Sequence, residues 1–266
     1  MSEQHTILET IEDGVARLTL NRPDAMNTMT PAFLDDVLEQ LESIADDNAI
    51  RVLILTGAGR AFCAGGDLKR GPGGAVAGDP PLSAQVGRLR RFMRSSQLLR
   101  DMPKITISAI NGACAGAGFS WACATDLRFA SSKARFATAF RNAALSGDFG
   151  GTWLLPRIVG AGRARDLYLR SKPITAQEAL DIGLVSSIHE PDALMEAVTE
   201  VARDLAAAAP LALPLIKQNL NDADEIGFAE ALDREARRHS AMVATHDGTE
   251  AARAFTEKRQ PNWSGQ

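Results

Sequence analysis

Apolar and polar positions change period along the chain, and those changes divide it into elements. Between residues 6 and 20, Ala16, Leu18 and Leu20 alternate with Arg17 and Thr19, and Asp13-Gly14 interrupts the run. A period of two beside an Asp-Gly pair predicts a β-hairpin. After Thr30-Pro31 the period lengthens. Phe33, Leu34, Val37, Leu38, Leu41 and Ile44 form a helical stripe through Ala45, opened by a capping hydroxyl and a proline at the first helical position. Residues 51–56 and 105–110 are almost unbroken apolar runs, which mark strands buried on both faces. Strand, helix, strand in this order predicts a β-α-β connection and an α/β fold.

A polar helix is predicted over 85–99. Beyond Asp126, residues 127–130 and 134–139 predict short strands, and 150–159 and 163–169 predict helices. Thr175-Ala176-Gln177-Glu178 has the spacing of a capping box that opens a helix ending at Gly183. Residues 184–189 form a last strand. From Asp192 the pattern is helical, with Leu194, Ala197, Val198, Val201 and Leu205 on one face, and further helices near 212–220, 228–245 and 248–259. The chain thus divides into an α/β part, 1–190, and a helical region, 191–266. Residues 71–81, rich in Gly, Pro and Ala without period, predict a mobile loop, either a lid over bound substrate or plain surface.

Two stretches that follow the buried strands carry candidate chemistry: Arg60-Ala61-Phe62-Cys63-Ala64-Gly65-Gly66-Asp67-Leu68, and Asn111-Gly112-Ala113-Cys114-Ala115-Gly116-Ala117-Gly118. In both, the side chains shrink to Ala, Gly and Cys, so another group can approach the backbone closely. The second runs into a helix whose first N–H groups have no intrahelical partner. Such loops either make room for packing or present N–H groups to a carbonyl oxygen on which negative charge develops.

Composition narrows the choice. A chain of 266 residues, 45% hydrophobic, is long enough for a large core, and a formal charge of −4 argues against nucleic acid as the partner. The cluster Arg88, Arg90, Arg91 and Arg94 is either a solvated helix face or a contact for a phosphate-rich ligand. Cys63, Cys114 and Cys123 sit among small or apolar neighbours and predict buried free thiols rather than disulfides or a metal site. There is no signal-peptide pattern and no membrane-length run, so a soluble cytoplasmic protein is expected. The four histidines lie outside every motif, and neither a dinucleotide fingerprint nor a P-loop is present.

The two small-residue stretches resemble the oxyanion-hole loops of the crotonase (enoyl-CoA hydratase/isomerase) superfamily. The resemblance extends from Leu20-Asn21-Arg22-Pro23 to Phe255-Thr256-Glu257-Lys258-Arg259. It implies a β-β-α superhelix, a C-terminal helical region used in trimerisation, and trimers that pair into hexamers. It also implies an acyl-CoA thioester as substrate, with coenzyme A part of that substrate and no separate cofactor. By the same resemblance the backbone N–H groups of Gly66 and Ala117 form the oxyanion hole. Asp24, Ala25, Met26, Ala64, Asp67, Leu68 and Lys69 lie along the CoA, and Phe255 and Lys258 reach the CoA of a neighbouring subunit.

The positions that hold two water-activating glutamates in the family's hydratases are Ser120 and Phe140 here, and neither can act as a base. What remains is Asp148, ahead of Phe149-Gly150-Gly151-Thr152-Trp153-Leu154-Leu155-Pro156-Arg157. Read on its own it is a helix N-cap or a functional carboxylate. The run after it resembles the branch containing 1,2-epoxyphenylacetyl-CoA isomerase, which implies that Asp148 carries the proton chemistry, with Ser120 and Phe140 as substrate contacts. Among Phe140, Leu145 and Phe149, burial would raise its pKa. The expected activity is proton transfer in an acyl-CoA isomerase. The alternatives are an atypical hydratase, hydrolysis or displacement with Asp148 as nucleophile, and a non-catalytic acyl-CoA-binding relative.

Overall fold

A computed structural model describes residues 5–67 and 81–266. The hairpin is formed by β1 (Ile7–Glu12) and β2 (Val15–Leu20). Helix α1 (Pro31–Asp46) starts as its sequence predicts, with Thr30 Oγ accepting from the Phe33 N–H and Pro31 at its first position. The two apolar runs are β3 (Val52–Gly57) and β5 (Ile105–Ile110), and every residue of both is buried. With β7 (Leu127–Ser131) and β10 (Ser187–His189) they complete a six-stranded sheet in the order β1-β2-β3-β5-β7-β10, parallel except for the hairpin.

Both faces of this sheet are covered. On one, Val52, Ile54, Ile105 and Ile107 meet Leu194, Val198, Ala202 and Ala206 of the long helix Leu194–Ala207. On the other, Leu53 and Leu55 join Phe33, Val37 and Leu41 of α1 in the main core. Double coverage explains why β3 and β5 lack polar alternation.

The structure corrects the reading of the two small-residue stretches, which contain short strands as well as loops. β4 (Ala61–Cys63) and β6 (Ala113–Ala115) pair in parallel, and with β8 (Arg135–Ala137) and β9 (Ile174–Thr175) they form a second sheet in the order β4-β6-β8-β9. Each long strand β3, β5 and β7 is therefore followed by a short strand in the second sheet and then by helix, the β-β-α repeat expected from the family resemblance. Strands of two or three residues are too short to show a period, and of these four only β8 lies within a predicted strand, 134–139.

The predicted helix 85–99 is also corrected, to two helices, α2 (Leu82–Phe92) and α3 (Arg94–Asp101), meeting at Met93. The break lets α3 bury Ser95, Ser96 and Leu99 while α2 stays exposed up to Phe92. Of the arginine cluster, Arg91 pairs with Asp35 and Arg94 with Glu42, both on α1, and Arg90 donates to Gln97. Two of the four arginines are thus tied to α1 by surface ion pairs, and a third is held by a hydrogen bond. Of the predicted loop 71–81, residues 71–80 lie outside the described residues.

Helix α4 (Ala117–Ala124) follows β6 and is buried at all eight positions. Its Trp121 Nε1 donates to Ser95 Oγ at 2.8 Å, and Phe119 meets Phe136 edge-on at 6.4 Å. After β8 come a 3-10 turn (Phe140–Ala143), α5 (Gly151–Val159) and α6 (Ala161–Arg170). The capping box is present: Thr175 N–H donates to Glu178 Oε2 at 2.7 Å, and Glu178 N–H to Thr175 Oγ1 at 3.2 Å. It opens α7 (Ala176–Asp181), and α8 is the sheet-covering helix Leu194–Ala207. The C-terminal helices are α9 (Ala212–Ala223), α10 (Phe228–Val243) and α11 (His246–Glu257). Among the described residues no helix is long and apolar enough to cross a membrane.

Candidate active site

β4, β6 and β8 are successive neighbours in the second sheet, and their C-terminal ends lie side by side. Parallel strand ends of this kind gather loops into one crevice. The loop after β4 holds Ala64, Gly65, Gly66 and Asp67, β6 leads into Gly116 and Ala117, and β8 leads to the 3-10 turn that begins at Phe140. The first two loops touch: a methyl group on Gly65, which has φ +89°, would sit 2.9 Å from Ala115 O and 3.3 Å from Ala117 N. Only glycine fits there.

Neither the Gly66 nor the Ala117 N–H donates to a described residue. Ala117 is the first residue of α4, so its N–H has no intrahelical acceptor, and Gly116 N–H is taken by Ala137 O at 3.0 Å. Gly66 is exposed, with open space where a side chain would stand. The donors lie on neighbouring loops, one of them at the positive end of a helix dipole. They can bind an oxygen that gains negative charge.

The 24–29 segment is laced to the same loop. Ala64 N–H donates to Met26 O at 3.1 Å, Met29 N–H to Gly65 O at 2.8 Å, and Asp67 N–H to Met29 O at 3.1 Å. Asp24, Ala25 and Met26, in a 3-10 turn capped by left-handed Met26, are thereby brought to Ala64, Gly66 and Asp67. Buried Asn27 fixes this turn: its Nδ2 donates to Ala61 O (2.8 Å), Ala58 O (3.0 Å) and Phe62 O (3.2 Å). Leu68 and Lys69 lie outside the described residues.

Asp148 occupies a turn between Gly147 (φ +117°) and Phe149 (φ +50°), with Gly150 at φ +79°. A positive φ at phenylalanine is strained backbone. The ring offsets it by packing edge-on against Trp121 at 5.9 Å. The N-cap reading fails here, because the cap of α5 is Gly150 and no side chain bonds there. Instead Asp148 Oδ1 is buried without a partner among the described residues. Burial alone pushes its carboxyl up to about 6. Of the expected apolar neighbours, Phe140 and Phe149 are buried, whereas Leu145 is exposed.

Ser120 and Phe140 lie around this turn. Ser120 is fully buried, and its Oγ donates to the Asp148 main-chain carbonyl at 3.0 Å, so its hydroxyl supports the turn. Phe140 is stacked on Tyr168 at 6.1 Å and 9°. Tyr168, the chain's only tyrosine, was not picked out from the sequence, where a tyrosine in a helical stripe reads as core. Phe255 and Lys258 lie at the end of α11, which packs on α10, and stand apart from the loops in a single chain.

The enoyl-CoA hydratase/isomerase family profile matches residues 10–266. The chain belongs to that family. It is 36% identical to the 1,2-epoxyphenylacetyl-CoA isomerase of Escherichia coli, over 97% of this chain and 98% of that one. It is 34% identical to the crotonyl-CoA hydratase of Syntrophomonas wolfei, over 99% of each. The crystal structure of an enoyl-CoA hydratase from Bacillus anthracis superposes with a TM-score of 0.90 at 32% identity, covering 98% of this chain and all of the other. The fold is thus the family's α/β architecture, and the protein is an acyl-CoA enzyme of the hydratase/isomerase family.

The closeness of the loops gives a direct test. Gly118, the second residue of α4, faces β4 so tightly that a methyl group would sit 2.6 Å from Cys63 Cβ and 2.8 Å from its Sγ. Gly118→Ala must push the two loops apart. It should lower kcat/KM about 100-fold and destabilise the fold by about 1–3 kcal/mol. Kinetics and urea unfolding measure the two effects, and a kcat/KM within threefold of wild type would show that loop spacing does not limit turnover.

Proposed function

We propose that this protein is an isomerase that moves a proton along the acyl chain of a CoA thioester. The observation that carries the reading is the half-buried carboxylate of Asp148, whose Oδ1 has no partner among the described residues, on a turn braced by Ser120 of the helix that begins with the Ala117 N–H, with no second acid at Ser120 or Phe140. Asp148 takes a proton from a carbon of the acyl chain, and the electron pair moves onto the thioester oxygen. The N–H groups of Gly66 and Ala117 hold that enolate, each donor contributing about 3 kcal/mol. The electrons then return, Asp148 delivers the proton to a different carbon, and the double bond shifts. Nothing is added or lost.

Coenzyme A arrives as part of the substrate, and no other cofactor enters this scheme. Asp24, Ala25, Met26, Ala64 and Asp67 border the crevice along which it would lie, followed by Leu68 and Lys69. A homotrimer, or a hexamer of paired trimers, would bring Phe255 and Lys258 to a neighbour's CoA. The apolar surface of the C-terminal helices supports assembly: Phe228 is 79% exposed and Phe255 88% in one chain. The kinship with the E. coli epoxyphenylacetyl-CoA isomerase supports an isomerase, and Phe140, Phe149 and Trp121 around the turn suit a bulky or aromatic acyl group.

The test is incubation with 3-enoyl- and 2-enoyl-CoA esters in deuterated water, followed by mass spectrometry. Deuterium uptake with a moved double bond and no added water is the expected result. A product heavier by one water would overturn the isomerase reading in favour of hydration.

A further inference from the structure

The turn carrying Asp148 is backed by one side chain that the scheme above does not use. Tyr168, on α6, lies against the turn at both ends. A methyl group on Gly147 would come within 3.9 Å of Tyr168 Cε1, and one on Gly151 would overlap both Tyr168 OH and Ser120 Oγ. The phenol therefore reaches the Cα of Gly151, and Ser120 Oγ shares that space while donating to the Asp148 carbonyl. The ring is fixed from the other side by its stack on Phe140.

Two buried polar atoms on this one turn have no hydrogen-bond partner among the described residues: Asp148 Oδ1, an acceptor, and Tyr168 OH, a donor. Ser120 Oγ, which gives its own proton to the Asp148 carbonyl, is the competing acceptor for the phenol, but the contact between them does not reach hydrogen-bond geometry. Burying a donor and an acceptor unpaired, side by side, costs more than pairing them. Reorientation of the hydroxyl and the carboxylate, or one bridging water, would pair them.

We propose that Tyr168 is the positioning residue of the proton-transferring carboxylate, donating its phenolic hydrogen to Asp148 Oδ1 whenever that carboxylate is charged. This rests on the reading of Asp148 as the proton carrier. The bond would hold one carboxylate oxygen and leave the other to face the acyl carbon. It would break each time Asp148 accepts the substrate proton and reform when the proton is returned.

The surrounding charges leave Tyr168 alone in this role. Burial pushes the phenol above its ordinary pKa, with the Asp148 charge adding to the shift and the Ser120 hydroxyl opposing it, so it remains a neutral donor. The Cys123 thiol of α4 is itself pushed up to about 12 by burial and stays uncharged. Arg141, in the 3-10 turn, is exposed and donates to Arg170 O. Asp148's own shift has burial as its only cause, so no cation steadies the carboxylate.

Tyr168→Phe keeps the ring on Phe140 and removes only the hydroxyl. In protein labelled with carbon-13 at the aspartate carboxyl, with the Asp148→Asn spectrum identifying the signal, the titration midpoint of Asp148 should rise by about 1 in pH. With substrate, kcat should fall about tenfold while KM stays within twofold. An unmoved midpoint together with unchanged kcat would overturn the proposal. The carbon-13 titration needs no turnover. If Asp148→Asn keeps full activity, the proton-carrier reading fails, while the Tyr168 hydrogen bond is still decided by the midpoint.

Discussion

Asp148→Asn should lower kcat by about 10³-fold or more while CoA-ester binding changes little, because the amide keeps the shape of the turn but cannot take a proton. The second half of this result concerns stability. In the folded protein the Asp148 carboxyl is raised from 3.8 to about 6, so burial favours its protonated form. Between those values the folded state binds more protons than the unfolded one, and stability falls as pH rises. Above pH 6 the cost of the buried charge is present in full. Asp148→Asn removes that cost and should be more stable than wild type by about 1–2 kcal/mol at pH 7.5, with the difference gone below pH 4. Thermal unfolding at both pH values measures it. The wild-type enzyme should correspondingly lose kcat/KM below about pH 6 as the base becomes protonated. A variant that is both active and no more stable would show that Asp148 neither carries the proton nor stores this cost.

The second large effect is expected far from the site. Lys217 on α9 is 4% exposed, and its Nζ donates to Lys104 O (2.9 Å) and Leu99 O (3.2 Å) and pairs with Asp126 Oδ2 at 2.8 Å. Asp126 in turn accepts from the Thr106 N–H at 2.7 Å at the start of β5. Burial lowers the Lys217 pKa and Asp126 opposes that shift, the pattern of a desolvated charge retained by its partner. Lys217→Met fills the volume but leaves the part-buried Asp126 charge without its cation and the Lys104 and Leu99 carbonyls without the ammonium donor, and should cost about 3–5 kcal/mol in urea unfolding. Adding Asp126→Asn should recover part of the loss. A single variant within 1 kcal/mol of wild type would mean that water replaces the ammonium.

The elements visible in the sequence are those long enough for their burial to leave a readable pattern. The hairpin alternates because one side of it is covered, α1 shows its stripe because Phe33, Val37 and Leu41 share a face, and β3 and β5 stand out because both faces are buried. Of the second sheet only β8 was visible, inside the predicted strand 134–139; β4, β6 and β9 left no trace, since two or three residues cannot display a period. The break at Met93 was equally hidden, because both halves are helical and polar and only the demand to bury Ser95 and Leu99 separates them.

The site was legible where backbone is used. Small residues at Gly65, Gly66, Gly116 and Ala117 announce close approach whatever surrounds them. It was not legible where a side chain acts through its neighbours. Ser120 read as a substrate contact and serves as a brace for the turn, and Tyr168 carried no signal in the sequence; only the structure places its hydroxyl beside Gly151.

The complete burial of α4 has a consequence for how activity arises. The helix that offers the Ala117 donor is also the centre of the main core, with Trp121, Phe119 and Cys123 packed on every side. An isolated eight-residue helix does not persist in water, so its free N–H end exists only after the surrounding layers have assembled around it. On the proposed reading of Ala117 as an anion-holding donor, a partly folded chain should therefore show no partial function. Regain of catalysis during refolding waits for the last desolvation of the interior.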